Sequence, residues 1–184
     1  MKAYEKEQPE QGMIGELYDW VEALISALVT VILVFTFVFR IVGVVGTSML
    51  PTLHEGDRVI LSVNYTPKYG DIVVLNKPNF TNKPFIKRVI AVAGQTVDIN
   101  YETGSVYVDG VELNEPYIRE VIMKKDDVVF PLVVPEGEIL VMGDNRNGST
   151  DSRSTMIGTV DERYIMGHAV GRIFPLTDIQ LLLQ

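Results

Sequence analysis

Apolar residues are spread unevenly along the 184-residue chain. Residues 23–39 form a run of 17 without a charge, dominated by Leu, Ile, Val and Phe. The run is apolar on every side of a helical turn and has no polar stripe, which predicts a membrane-spanning helix, not an amphipathic core helix. At about 1.5 Å per residue it reaches roughly 26 Å, slightly short of a hydrocarbon core of about 30 Å. Arg40 interrupts the run and residues 41–45 resume it. A long Arg side chain near a helix end reaches the headgroups, so the expected anchor is 23–45 behind a tail of residues 1–22. A cleavable leader fails on two counts. The preceding residues are acidic, with Lys2 and Lys6 against Glu5, Glu7, Glu10, Glu16, Asp19 and Glu22, and no small-x-small cleavage site follows.

Beyond residue 45 the periodicity changes. Short apolar runs flanked by turn formers predict strands at 58–63, 71–75, 85–93, 138–142 and 169–174. Val106-Tyr107-Val108-Asp109-Gly110-Val111 places Asp-Gly between β-formers, a strong hairpin signal. No amphipathic helix of three turns interrupts this pattern. The fold class expected for residues 46–184 is therefore mainly β, an antiparallel domain behind one N-terminal transmembrane helix. Charges concentrate between Tyr101 and Asp127, which marks residues 101–129 as an inserted hairpin subdomain. Thr177 to Gln184 is apolar but too short to span a membrane.

Composition narrows the chemistry. Lys and Arg number 16 against 24 Asp and Glu, a formal charge of −8. That excludes a typical nucleic-acid binder, which needs a basic face to displace counterions. There is no cysteine, so disulfides, thiolate metal sites and a Cys nucleophile are excluded. His54 and His168 are the only histidines, and no His-Glu-x-x-His pair exists, so neither a zinc hydrolase nor any other metal cofactor is expected.

Three segments bear candidate chemistry. Gly46-Thr47-Ser48-Met49-Leu50-Pro51-Thr52-Leu53 holds a serine in a turn, with Gly46 allowing close backbone approach and Pro51 fixing the chain beyond it. Lys87 lies in the apolar strand 85–93. Alternation puts Phe85, Lys87, Val89 and Ala91 on one face and Ile86, Arg88 and Ile90 on the other. A buried lysine is disfavoured as the ammonium, so its neutral amine becomes available to take a serine proton. On an edge strand the same lysine would only snorkel to water. The third segment, residues 142–153, is dense in small polar and charged residues. Asp151 and Arg153 can pair and brace it, and Ser149 can orient a lysine amine. Its oxygen spacing does not follow an EF-hand, and two Arg intrude. His54 and His168 read as surface or satisfied core residues, and no G-x-S-x-G elbow is present.

Together these blocks resemble the bacterial type I signal peptidases, the Ser-Lys proteases that remove signal peptides from exported proteins. The order matches: anchor, serine block, Gly70-Asp71-Ile72-Val73-Val74, lysine block, then residues 143–153. The resemblance implies Ser48 as nucleophile and Lys87 as general base. It implies Ser149 as the serine that orients the lysine, Asp151 with Arg153 as a supporting ion pair, and Asp144 as part of the same supporting block. The compact chain and its hairpin are more similar to the Gram-positive members. One position departs from the pattern. Some members carry a Ser or Thr two residues before the nucleophile as an oxyanion donor, and here that residue is Gly46. The Ser48 N–H remains as a donor, and the second donor is open.

Ser48 follows Arg40 by eight residues, at most roughly 28 Å of extended chain, so a nucleophile near the membrane surface is expected. Met49, Pro51 and Leu53 are then candidates to line shallow pockets or touch lipid. The resemblance implies secretory preproteins as substrates, with small residues, commonly Ala, at the first and third positions before the cut. It also implies a cytoplasmic N-terminus and an extracytoplasmic catalytic domain in the cell membrane, although the flanking charges alone leave orientation open. Two alternatives remain at this level: the self-cleaving repressor clan, which also uses Ser and Lys but carries a DNA-binding region, and an inactive homologue that binds preproteins.

Overall fold

The computed structural model describes residues 10–37, 39–63, 65–78, 80–81 and 83–182. The first nine residues of the expected tail, Val38 of the apolar run and the last two residues of the C-terminal segment lie outside the described residues. The chain divides into two units, residues 1–38 and 39–184.

The first unit contains one helix, α1, Glu10–Phe37, of 28 residues, about 42 Å long. Its described side chains are all exposed, Leu24, Ile25, Leu28 and Ile32 among them. Among the described residues no helix is long and apolar enough to cross a membrane. The side chains of residues 34–37, the end of the apolar run, are not among those described.

The anchor was expected to reach residue 45, but the helix stops earlier. Residues Phe39–Gly43 form strand β1 and pair antiparallel with β2, Arg58–Ser62. Ile41 and Val42 are β-branched and favour extended backbone, and β2 supplies the hydrogen bonds that a helix would have made internally. Pairing continues past the strand, with Val44 N–H donating to Asp57 O and Gly56 N–H to Val44 O. An apolar run interrupted only by Arg40 concealed this change of conformation.

The remaining strands are β3 (Ile72–Leu75), β4 (Phe85–Val92), β5 (Thr96–Asn100), β6 (Ser105–Val108), β7 (Val111–Glu112), β8 (Leu132–Val133), β9 (Glu138–Met142), β10 (Val160–Asp161), β11 (Ile165–Phe174) and β12 (Gln180–Leu181). The larger sheet has the order β1-β2-β11-β3-β4-β9-β10, with β12 paired to β11. The smaller sheet has the order β7-β6-β5-β8. All pairings are antiparallel. The second unit is mainly β, as the alternation predicts.

The hairpin at Asp109-Gly110 forms with both residues at positive φ, 51° and 79°, the backbone that a two-residue primed turn requires. The smaller sheet is wider than residues 101–129, because β5 precedes that segment and β8 follows it. The C-terminal segment packs on the core: β12 pairs β11 and Leu182 is buried.

β4 lies inside the larger sheet, between β3 and β9, and this placement buries both of its cations, Lys87 and Arg88. The register with β9 shifts between Val89 and Ala91. Ala91 therefore packs with Ile90 under the smaller sheet, while Val89 packs with Val73 and Val141. Strict alternation put Ala91 with Val89; the extra residue of a bulge breaks the period of two.

Candidate active site

Ser48 sits in the turn that follows β1. Gly46 adopts φ +83° with open space around its α-carbon, so backbone conformation and not crowding calls for glycine there. Two apolar side chains fix the turn from below. Met49 and Leu53 are buried in the cluster that includes Val59, Leu61 and Ile72. From the side, Asn145 holds the turn through its Nδ2 to Thr47 O and its backbone N–H to Ser48 O, both at 3.0 Å. Among the described residues no acceptor takes the Ser48 N–H.

Lys87 comes from β4, opposite Val73 of β3. Its Nζ lies 2.8 Å from Ser48 Oγ and 3.1 Å from Ile86 O, and 5.8 Å from the centre of the Phe85 ring. The residue is 4% exposed. Burial pushes the amine down to about 8; the Asp151 carboxylate opposes this, the Arg153 guanidinium adds to it, and Asp144 opposes it. A neutral amine in contact with a hydroxyl can accept that hydroxyl's proton.

Loop 143–153 closes the site. Asp151 accepts from Arg153 through both carboxylate oxygens at 2.8 Å, and from the Gly143 N–H at 2.9 Å. Burial raises the Asp151 carboxyl, but Arg153 and the Gly143 N–H more than offset this and hold it below the usual range. The expected ion pair is formed. Asp144 has a different partner from the rest of its block, accepting from Arg88 Nε at 2.8 Å and Nη2 at 2.7 Å, and from Thr52 Oγ1 at 2.5 Å. Ser149 is not joined to Lys87: the amine meets Ser48 and Ile86 O, while the buried Ser149 hydroxyl acts on Asp151 and helps to hold that carboxyl down. It abuts Gly143, whose α-carbon leaves no room for a methyl group beside it.

Ser48 and Lys87 open into a largely apolar cleft of about 480 Å³, lined by residues 42–46, Met49, Phe80, Phe85, Ile86 and Thr150. Of the three candidate pocket residues only Met49 borders it. Leu53 is fully buried in the core, because the turn needs an apolar foot. Pro51 is exposed and borders a separate cavity of about 380 Å³ with His54 and Arg172. His168 does not border the cleft; it stacks on Tyr65 with ring centres 4.2 Å apart, and its Nε2 lies 3.4 Å from Asp71 Oδ1.

Sequence reasoning missed a further buried ion pair. Arg146 Nη1 and Nη2 donate to Glu115 at 2.8 and 2.5 Å. The partners are 31 residues apart, and nothing in the local pattern around Glu115 marks it.

A serine hydroxyl against a buried amine on an antiparallel scaffold has the parts of a serine hydrolase that works without histidine. The chain belongs to the family described as signal peptidase, peptidase S26, whose model matches residues 17–174. It is 35% identical to a signal peptidase I of Bacillus licheniformis over 95% of this chain and 97% of that one. A probable signal peptidase I-1 of Synechocystis is 42% identical over 83% of this chain and 80% of its own. A crystal structure of a signal peptidase I from Enterococcus faecalis matches 56% of this chain and 97% of that chain at 27% identity, with a TM-score of 0.45.

Proposed function

We propose that this chain is a membrane-anchored serine endopeptidase that removes N-terminal signal peptides from secretory preproteins, with Ser48 as nucleophile and Lys87 as general base. One observation carries the assignment: the 2.8 Å contact between Ser48 Oγ and Lys87 Nζ at the floor of the cleft. In the reaction the neutral Lys87 amine takes the Ser48 proton as Oγ attacks the scissile carbonyl. The carbonyl oxygen becomes an oxyanion, for which the Ser48 N–H is a donor. Collapse breaks the peptide bond, Lys87 returns the proton to the leaving amine, and an acyl-enzyme remains. Lys87 then activates water, and hydrolysis of the ester frees Ser48.

The apolar walls supplied by Met49, Phe85 and Ile86 suit small apolar side chains before the cut. Residues 23–37 would hold the protein in the bilayer, N-terminus cytoplasmic, so that Ser48, eleven residues further along the chain, meets cleavage sites at the outer surface. Cleavage of a preprotein by the detergent-solubilised full chain tests the chemistry; processing retained by Ser48→Ala would overturn it. Protease added to intact cells tests the topology, and full protection of residues 46–184 would overturn that part alone.

A further inference from the structure

Loop 143–153 carries four charged side chains, Asp144, Arg146, Asp151 and Arg153, and all are buried. Each is closed in an ion pair: Asp144 with Arg88 at 2.7 Å, Asp151 with Arg153 at 2.8 Å, and Arg146 with Glu115 at 2.5 Å. Three guanidinium groups thus meet three carboxylates. The cluster is neutral when the Lys87 amine is neutral and carries one excess positive charge when that amine is protonated.

Two of the pairs act on Lys87 directly, through Asp151, Arg153 and Asp144. The other groups around it are its strand neighbour Arg88, already paired with Asp144, the Ser48 hydroxyl, and Lys83, exposed on the cleft wall. The third pair is tied into the same network. Arg153 Nη2 donates to Arg146 O at 2.6 Å, and the Arg146 guanidinium feels Asp151 as well as Glu115. Glu115 is steadied in turn by Tyr117, whose hydroxyl donates to Glu115 Oε1 at 2.8 Å and whose ring lies 3.9 Å from the Arg88 guanidinium.

We propose that Glu115 is a positioning residue of this enzyme: it supplies the third buried counter-charge, keeps Arg146 off Asp151, and so sets the charge balance around the Lys87 amine. The proposal rests on Lys87 being the base. Without the Glu115 carboxylate, Arg146 stays buried with no partner, and Asp151 is the carboxylate it already feels. Asp151 is also the carboxylate that most favours the protonated Lys87. Drawing Asp151 toward Arg146, and adding an uncompensated positive charge, both disfavour the ammonium. Removing Arg146 while Glu115 remains has the opposite sign.

The test is the pH dependence of kcat/KM for preprotein cleavage by the detergent-solubilised full chain, comparing wild type, Glu115→Gln, Arg146→Gln, the double variant, Glu115→Asp and Lys87→Ala. The ascending limb is expected to move down by about one pH unit in Glu115→Gln, the order of effect of one unpaired buried charge in an effective dielectric of about 20. It is expected to move up by about as much in Arg146→Gln, and to return to the wild-type position in the double variant. Glu115→Asp keeps the charge, so its limb stays in place even where turnover falls. A purely structural role would lower turnover without moving the limb in opposite directions. Limbs that are unmoved, or moved the same way in both single variants, would overturn the proposal. Should Glu115→Gln fail to fold, Arg146→Gln decides alone: an upward shift supports the proposal and an unmoved limb overturns it. Substantial cleavage by Lys87→Ala would instead remove the base assignment, a failure distinct from unmoved limbs beside an inactive Lys87→Ala.

Discussion

Lys87 and Arg88 are neighbours on β4, both nearly inaccessible, and their charges meet opposite fates. Arg88 closes on the Asp144 carboxylate with two hydrogen bonds. The Lys87 amine finds a hydroxyl and a carbonyl but, among the described residues, no carboxylate within hydrogen-bond range. Burial without a counter-ion in contact disfavours the ammonium and lowers the amine's pKa. One strand therefore carries a candidate proton acceptor beside a guanidinium held in an ion pair.

The activity of the wild-type enzyme should rise with pH along a limb centred near 8, where the Lys87 amine loses its proton. Rate profiles of kcat/KM on a preprotein check this. A limb near the reference lysine value of about 10.4 would show that burial is not tuning the group. Ser48→Ala and Lys87→Ala should each lower turnover by several orders of magnitude while retaining the β-rich circular dichroism of the wild type.

The same shift has a consequence for stability. The folded-state value is about 8 against 10.5 for the free side chain, so between these values the unfolded chain holds more protons than the folded one. Wild-type stability from this group therefore rises with pH across that window and is lost as pH falls through 8. The span is worth about 3 kcal/mol. Lys87→Met removes the term. In chemical unfolding of the full chain in detergent, the variant's advantage over wild type should be largest below pH 8 and fade toward pH 10.5. An advantage independent of pH would mean that the amine is not desolvated.

Asp144 and Arg88 lend themselves to a double-mutant cycle. Both side chains are buried, so Asp144→Ala leaves a guanidinium without its partner and should destabilise the fold by roughly 3–5 kcal/mol. Replacing both, as Arg88→Met with Asp144→Leu, removes the unpaired charge and should recover much of that loss. Equilibrium unfolding at neutral pH measures it. If the double variant is as unstable as the sum of its parts, the two residues are not paired energetically.

The local pattern made some of this legible and hid the rest. Periodicity of two and the Asp-Gly turn disclosed β2, β3, β4, β9 and the β6–β7 hairpin, because each depends on neighbours in the chain. β1 was hidden, since an apolar helix and an apolar strand that follows it read as one run. Residue types in short segments marked Ser48, Lys87 and Asp151–Arg153 as candidates, their roles came from the family resemblance, and the structure brings these segments together. Glu115 was invisible because its value depends on Arg146, which only the tertiary fold places against it. Leu53 reads equally well as a pocket wall or a core foot, and only burial distinguishes the two.

Gly143 packs closely against the backbone of Ser48 and the side chain of Ser149. A methyl group there would stand within 2.5 Å of Ser48 O and against the Ser149 hydroxyl. Something must move, and the Ser48 turn is clamped through that same carbonyl by the Asn145 N–H. Gly143→Ala should therefore displace Ser48 Oγ from the Lys87 amine and lower kcat/KM by about 100-fold, the scale of a misplacement of about 1 Å. Overpacking should cost about 1–3 kcal/mol of stability. Gly94→Ala is the control. Its backbone has φ +82° but open space around it, so substitution strains the turn by about 1–2 kcal/mol without touching the site. Activity per folded molecule should stay near wild type in Gly94→Ala and collapse in Gly143→Ala. Equal activity in both, at matched folded fractions, would show that Gly143 does not hold the serine in place.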